Sequence, residues 1–217
     1  RGIYKFVESI VRSLEENEPN WEIVLVGNHF TDDGDPTPCI VSEIAQGHPR
    51  IRAVTLIKKG MMGWDMKSGL DATTGETIAV IDGDGQMPFE DVILVYRKLK
   101  NERLDLVKTF RTQRGDGIYR KTISVVYNII FNILFPGLKC RDINSKPKIM
   151  TREVYNRMNL DSNGWFIDAE IMIQAGKLLT ILESSTPLQN LTKPLLKIKK
   201  GDKKMDKLEV VSAMVGK

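Results

Sequence analysis

Glu76-Thr-Ile-Ala-Val-Ile-Asp-Gly-Asp-Gly-Gln86 is the stretch on which the reading of this chain turns. Its first six residues form a short apolar, partly β-branched run bounded by glycine, which predicts a strand buried on both faces. Acid and glycine follow at once. Two carboxylates separated by one residue can converge on one cation, and the flanking glycines let the backbone turn sharply. Oxygen donors suit Mg²⁺ or Mn²⁺, and the amide of Gln86 adds a third candidate ligand to Asp82 and Asp84. The spacing alone leaves open a glycine-rich turn whose aspartates cap a helix beginning near Pro88. An EF-hand is excluded: with Asp82 as position 1, Met87 stands where glycine is required and Ile93 where glutamate is.

The alternation continues on both sides. Tyr4, Val7, Ile10, Val11 and Leu14 recur at helical spacing, and Trp21-Glu-Ile-Val-Leu-Val26 reads as a buried strand. Residues 38–46 predict a helix, Ile51 to Ile57 a strand, Trp64 to Ala72 a helix, Pro88 to Lys100 a helix and Leu104 to Lys108 a fourth strand. Strands alternating with helices predict an α/β fold with an open, mostly parallel, Rossmann-like sheet. In such sheets ligands bind beyond the carboxyl ends of the strands. The loops to search are therefore Gly27–Thr37, Lys58–Gly63, Asp82–Met87 and Thr109–Gly117.

Composition narrows the class. The 217 residues are 41% hydrophobic and 28% charged, as expected of one globular domain and not of a disordered or low-complexity chain. The net charge of +4 is local, because Lys193 to Lys207 holds seven lysines against Asp202 and Asp206. The remainder is nearly neutral, which argues against a nucleic-acid partner. Cys39 and Cys140 lie far apart without metal-ligand spacing, consistent with a reducing compartment. The start of the chain reads as an amphipathic helix and not a signal peptide. The apolar stretch Ile123 to Leu138 is interrupted by Ser124, Asn128 and Asn132, too polar for the roughly 20 apolar residues of a membrane span. These features predict a cytoplasmic protein, or one peripheral on the cytoplasmic face of a membrane.

Phe110-Arg-Thr-Gln-Arg-Gly-Asp-Gly-Ile-Tyr-Arg120 follows the fourth strand and carries Arg111, Arg114 and Arg120, whose planar forks suit phosphate. Arg120, Ser124, Asn128 and Asn132 then fall on one stripe of a helix that is otherwise apolar. A core helix turning its polar side to solvent would give the same stripe. In Arg141-Asp-Ile-Asn-Ser-Lys-Pro-Lys148, Asp142 and Asn144 are turn formers, and Lys146 and Lys148 can face phosphate; a tight surface loop is the alternative. Trp165-Phe-Ile-Asp-Ala-Glu170 places Asp168 and Glu170 in the first turn of a helix, where its dipole favours carboxylates.

Gly69 to Gln86 resembles the segment around the DxD motif of family 2 glycosyltransferases, and within them the dolichol-phosphate mannose synthase group, whose motif commonly continues as D-x-D-x-Q. The resemblance runs from about Trp21 to about Gly176. It implies a GT-A-like fold, a nucleoside-diphosphate sugar as donor, and Asp82, Asp84 and Gln86 as the site of a divalent metal bridging the diphosphate. Arg111, Arg120, Ser124 and Asn128 match positions that hold the phosphates of donor and lipid acceptor, with Asp142, Asn144, Lys146 and Lys148 in the loop closing over them. Asp168 or Glu170 matches an acidic base. Val26-Gly-Asn-His-Phe-Thr-Asp32 aligns with a D-D-G-S-T-D signature, so Asn28 joins Asp82 as a nucleotide contact. The family's usual first strand precedes the position at which this chain begins, which implies a sheet lacking it.

The expected activity is inverting, metal-dependent transfer of a hexose to a polyprenyl phosphate by a domain spanning 1–190. Residues 191–217 form a basic tail whose Met205, Leu208, Val211 and Val215 could make the apolar face of a surface helix. A phosphate monoester, with a second pKa of about 6, is already ionised and needs positioning more than a base. Transfer to a hydroxyl in polysaccharide or glycan synthesis, and a non-catalytic relative that binds a nucleotide or partner, are the alternatives. A sugar nucleotidyltransferase would need a glycine-rich basic loop near the start of the chain, which is absent.

Overall fold

A computed structural model of the protein describes residues 2–31, 34–85, 88–111, 118–135, 138, 140, 142–178, 182–186 and 208–213. The chain opens with helix α1 (Gly2–Asn17) and strand β1 (Trp21–Val26), followed by α2 (Thr37–Gln46) and β2 (Ile51–Val54). Next come α3 (Met62–Asp71), β3 (Thr77–Asp82), α4 (Glu90–Glu102) and β4 (Leu106–Arg111). Then come α5 (Ile118–Leu134), β5 (Lys148–Thr151), α6 (Arg152–Asn156), α7 (Ile167–Leu178), β6 (Leu182–Thr186) and β7 (Leu208–Ala213), the last of the described elements. The predicted alternation is present, with ends moved by a few residues. β2 stops at Val54, short of Ile57, and β4 runs on past Lys108 to Arg111.

Among the described residues seven strands form one sheet in the order β2-β1-β7-β3-β5-β4-β6. All neighbours are parallel except β5, which runs antiparallel to both β3 and β4. Successive side chains of a strand point to opposite faces, and here both faces are apolar. Ile23 and Leu25 of β1 and Ala79 and Ile81 of β3 pack with α1, α2 and α4. Val24, Val26, Ile78 and Val80 face the other way, onto Met66 and Leu70 of α3, Phe131 of α5 and Met172 of α7. The continuous apolar runs read from the sequence are thus strands covered on two sides.

Two expectations change. The sheet is not short of a central strand: β7 lies between β1 and β3, parallel to both, with Trp21 opposite Leu208 and Asp82 opposite Ala213. The tail residues Leu208–Ala213 are accordingly a strand and not one face of a surface helix. Leu-Glu-Val-Val-Ser-Ala is short and carries adjacent β-branched residues, which suits a covered strand, and so short an apolar run fits either period. The basic stretch Lys193 to Lys207 lies outside the described residues.

Candidate active site

The antiparallel run of β5 sets the site. Because β5 opposes β3, the amino end of β5 meets the carboxyl end of β3, with Val80 opposite Lys148. The loop leading into β5 is therefore brought to the acidic turn after β3. That turn needs Gly85 in the left-handed region (φ +68°), where a side chain would be strained. Asp82 closes β3 half-exposed, and Asp84 stands exposed on the turn.

Lys146 Nζ donates to Asp82 Oδ1 at 2.7 Å and lies 3.4 Å from Asp168 Oδ2. The second oxygen of Asp168 accepts from Lys148 Nζ at 2.5 Å, and Lys148 also donates to the Ser145 carbonyl at 3.0 Å. Lys108 completes a set of three enclosed ammonium groups, donating to the carbonyls of Thr109 and Asp142, both at 3.1 Å, and to Ser145 Oγ at 3.3 Å. The loop is held from the β4 side by Thr109 Oγ1, which donates to the Lys146 carbonyl at 2.8 Å, and its Lys146–Pro147 peptide is cis.

Burial and charge compete in this cluster. Burial alone would push the Asp168 carboxyl up, but Lys148 and then Lys146 hold it below the usual carboxylate range. Burial lowers Lys146, and the charges of Asp168 and Asp82 outweigh it, leaving that ammonium above its ordinary value. For Lys148 burial prevails over Asp168 and brings the group down to about 8. Burial, and then the charge of Asp168, push the Tyr127 phenol up.

The structure distributes the expected site residues unevenly. Asp82, Lys146, Lys148 and Asp168 are brought together, and Asp142 lies buried at the head of the same loop with φ +48°. Asn144 is exposed beside them. Asn128, on the inner side of α5, accepts from the Ile143 backbone N–H at 3.4 Å and so braces this loop. Arg111 ends β4, and Arg120 and Ser124 lie on α5, with side chains outside the described set; Gln86 and Arg114 lie outside the described residues altogether.

Three residues do something other than expected. Asn28 is buried: its Nδ2 donates to Asp65 Oδ1 at 3.0 Å and to Ser68 Oγ at 2.8 Å, while its Oδ1 accepts from the Leu56 N–H at 2.7 Å. An amide so committed staples the end of β1 to α3, and both of its N–H groups are spent inside the protein. Asp168 is 0% exposed, enclosed by two lysines, and does not reach outward as a base would. Glu170 accepts from the backbone N–H groups of Asp161 and Ser162, each at 2.9 Å, fastening the loop before α7. The helix dipole argument placed both acids correctly and their partners took them for other work.

Lys108 and the buried pair Lys58–Asp65, at 2.8 Å, escaped the sequence reading. A lysine inside an otherwise apolar strand and an aspartate on the inner face of a helix were the available signals, since buried charges persist only when paired.

The donor chemistry fits a divalent ion. Asp82 and Asp84 offer oxygen ligands at a solvent-open edge, and Asp82 already draws a cation, the Lys146 ammonium. Among the described residues no group of three or more His, Cys, Asp or Glu gathers; Mg²⁺ is commonly bound by one or two carboxylates with phosphate and water completing its shell, a pattern two aspartates allow.

A model of glycosyl transferase family 2 matches residues 2–160. The chain is 27% identical over 164 residues to the dodecaprenyl-phosphate galacturonate synthase of Rhizobium johnstonii, covering 74% of this chain and 47% of that protein. It is 26% identical over 186 residues to the dolichyl-phosphate beta-glucosyltransferase of Homo sapiens, covering 76% and 55%. The chain thus spans about half the length of the curated relatives it matches. Among solved structures, the glucosyl-3-phosphoglycerate synthase of Mycobacterium tuberculosis with UDP superposes with TM-score 0.57 at 19% identity, covering 86% of this chain and 77% of that one. The mannosyl-3-phosphoglycerate synthase of Rubrobacter xylanophilus gives 0.54 at 15%, covering 82% and 68%. The shared architecture is the GT-A type.

Proposed function

The chain belongs to glycosyl transferase family 2, and from that premise we propose that it moves a hexose from a nucleoside-diphosphate sugar to a polyprenyl phosphate, with inversion at the anomeric carbon. The observation that carries the acceptor class is the enclosure of Asp168 between Lys146 and Lys148. Together with the capture of Glu170 by its own loop, it argues against either acid as the base for a hydroxyl. A hydroxyl acceptor would need another base. A phosphate dianion needs none, only cations to position it, and the loop of Lys146 supplies a cationic floor.

Asp82 and Asp84 would hold Mg²⁺ or Mn²⁺, which when bound offsets the charge of the departing diphosphate. Asp82 orients at the end of β3, the 142–147 loop closes one side of the site, and Asn128 keeps that loop against α5. Two of the relatives' names, dodecaprenyl-phosphate galacturonate synthase and dolichyl-phosphate beta-glucosyltransferase, support a polyprenyl-phosphate acceptor. They favour a hexosyl donor over any one sugar, mannose included.

A lipid acceptor places the work at a membrane surface. Val125, Val126, Ile129, Ile130, Ile133 and Leu134 of α5 are all exposed, Ile133 by 71%, and none is charged. Contiguous apolar surface of this kind marks an interaction face. Its opposite side carries Asn128 and Phe131, toward the loop and core. Among the described residues no helix is long and apolar enough to cross a membrane; with its exposed apolar face α5 would lie in the interface.

A panel of nucleoside-diphosphate hexoses, offered with a short polyprenyl phosphate or with sugar alcohols, tests the reading. Metal-dependent transfer to the lipid phosphate is expected. Transfer to hydroxyl acceptors alone would overturn it.

A further inference from the structure

The Asp82 carboxylate is half-open to solvent, yet the cation it holds is not. The side chain of Lys146 is only 4% exposed, against 39% for Asp82. An ammonium enclosed to that degree stays charged only where carboxylates surround it, and two do: Asp82 at 2.7 Å and Asp168 at 3.4 Å. Asp168 is itself shared, since Lys148 takes its other oxygen. Lys146 and Lys148 therefore rest on one wholly buried carboxylate and one open carboxylate, with the Lys108 ammonium nearby, and the open one is the residue that the donor site needs for a divalent ion.

Resting on the reading of that site given above, we propose that Lys146 is an internal counter-cation that competes with the divalent ion for Asp82, and that Asp168 holds it ready. While no ion is bound, Lys146 neutralises Asp82. When a divalent ion takes that carboxylate, Lys146 loses one of its two counter-charges and leans on Asp168, already occupied by Lys148. The Lys146 and Lys148 ammonium groups then share one carboxylate, with the Lys108 ammonium close by, a surplus of positive charge beside the bound ion. An anion such as a diphosphate relieves that surplus. Ion and diphosphate thus favour each other's binding through Lys146, beyond their direct contact, and an ion alone binds weakly. No covalent step is involved. Lys148 and Asp168 are positioning residues in this scheme, since neither is open to solvent.

The test is Mn²⁺ binding to the protein without nucleotide, read by electron paramagnetic resonance of free Mn²⁺ at fixed pH. Two variants are expected to move in opposite directions. Lys146→Met removes the competitor and is expected to tighten Mn²⁺ binding about tenfold, the scale of one opposing charge removed at hydrogen-bond distance under water-like screening. Asp168→Asn removes the second anchor, leaves Lys146 to Asp82 alone, and is expected to weaken Mn²⁺ binding. Near-ultraviolet circular dichroism verifies folding, and Lys146→Gln replaces the methionine variant with the same expected sign if that one does not fold. Unchanged or weaker Mn²⁺ affinity in a folded Lys146 variant overturns the inference while wild-type binding leaves the donor-site reading standing. Absence of Mn²⁺ binding in wild type and variants alike overturns both.

Discussion

The Lys148 ammonium and the Asp168 carboxylate meet at 2.5 Å where neither side chain is open to solvent. β5 contributes one partner and α7 the other, so the pair ties the sheet to the helix covering it. Breaking a buried pair by removing one charge is far more damaging than never having made it, because the surviving charge is stranded.

Asp168→Asn is expected to cost about 3–5 kcal/mol of stability, measured by urea unfolding at pH 7. The same residue governs an acid limb. Its folded carboxyl lies below the ordinary 3.8, so its stabilisation is full above that value and is lost as pH falls through the lower folded value. A urea midpoint followed from pH 6 downward should show that loss in wild type and not in the variant.

Lys148 gives a slope of the same sign at the alkaline end. Its folded ammonium titrates near 8 and its unfolded one near 10.5, so between those values the unfolded chain holds a proton that the folded chain lacks. Stability contributed by this group therefore rises with pH across that window. Urea midpoints at pH 7.5, 8.5 and 9.5 are expected to show a rise in wild type that is missing in Lys148→Met.

Asn28→Ala is expected to act on stability and not on nucleotide affinity. The substitution orphans the part-buried Leu56 N–H and withdraws a donor from the buried Asp65, at about 1–3 kcal/mol. Urea unfolding measures the loss, and titration with nucleoside diphosphates under folded conditions should give an unchanged affinity. A large loss of affinity in folded protein would return Asn28 to the binding site.

Ile129→Asp with Ile133→Asp tests the outer face of α5. Both residues are exposed, so stability should change little. Sedimentation with anionic phospholipid vesicles should fall by about 1.5–3 kcal/mol for each side chain no longer buried in the interface, more than tenfold per residue. Retention at the wild-type level would remove α5 as the membrane face.

Periodicity made the elements legible. The runs Trp21–Val26 and Thr77–Ile81 are strands because both their faces are covered, and a doubly covered strand looks in sequence like what it is. The edge carrying Asp82 was equally legible, since glycine after a buried strand has few uses. Pairing was not. Nothing local in Asp168 says that it faces two lysines, because Lys146 and Lys148 reach it only through the antiparallel placement of β5, a long-range choice. Asn28 misled for the same reason: its partners Asp65 and Ser68 come from a helix more than thirty residues on. β7 was the least legible, its position being settled by a gap elsewhere in the sheet and not by its own composition.

That placement of β7 bears on how the protein is made. During synthesis β1 and β3 emerge from the ribosome long before Leu208, and until then each presents an unsatisfied strand edge to the other across an empty slot. A chain in this state would be prone to sticking edge to edge with its neighbours, and the two edges close only once Leu208–Ala213 is in place between them.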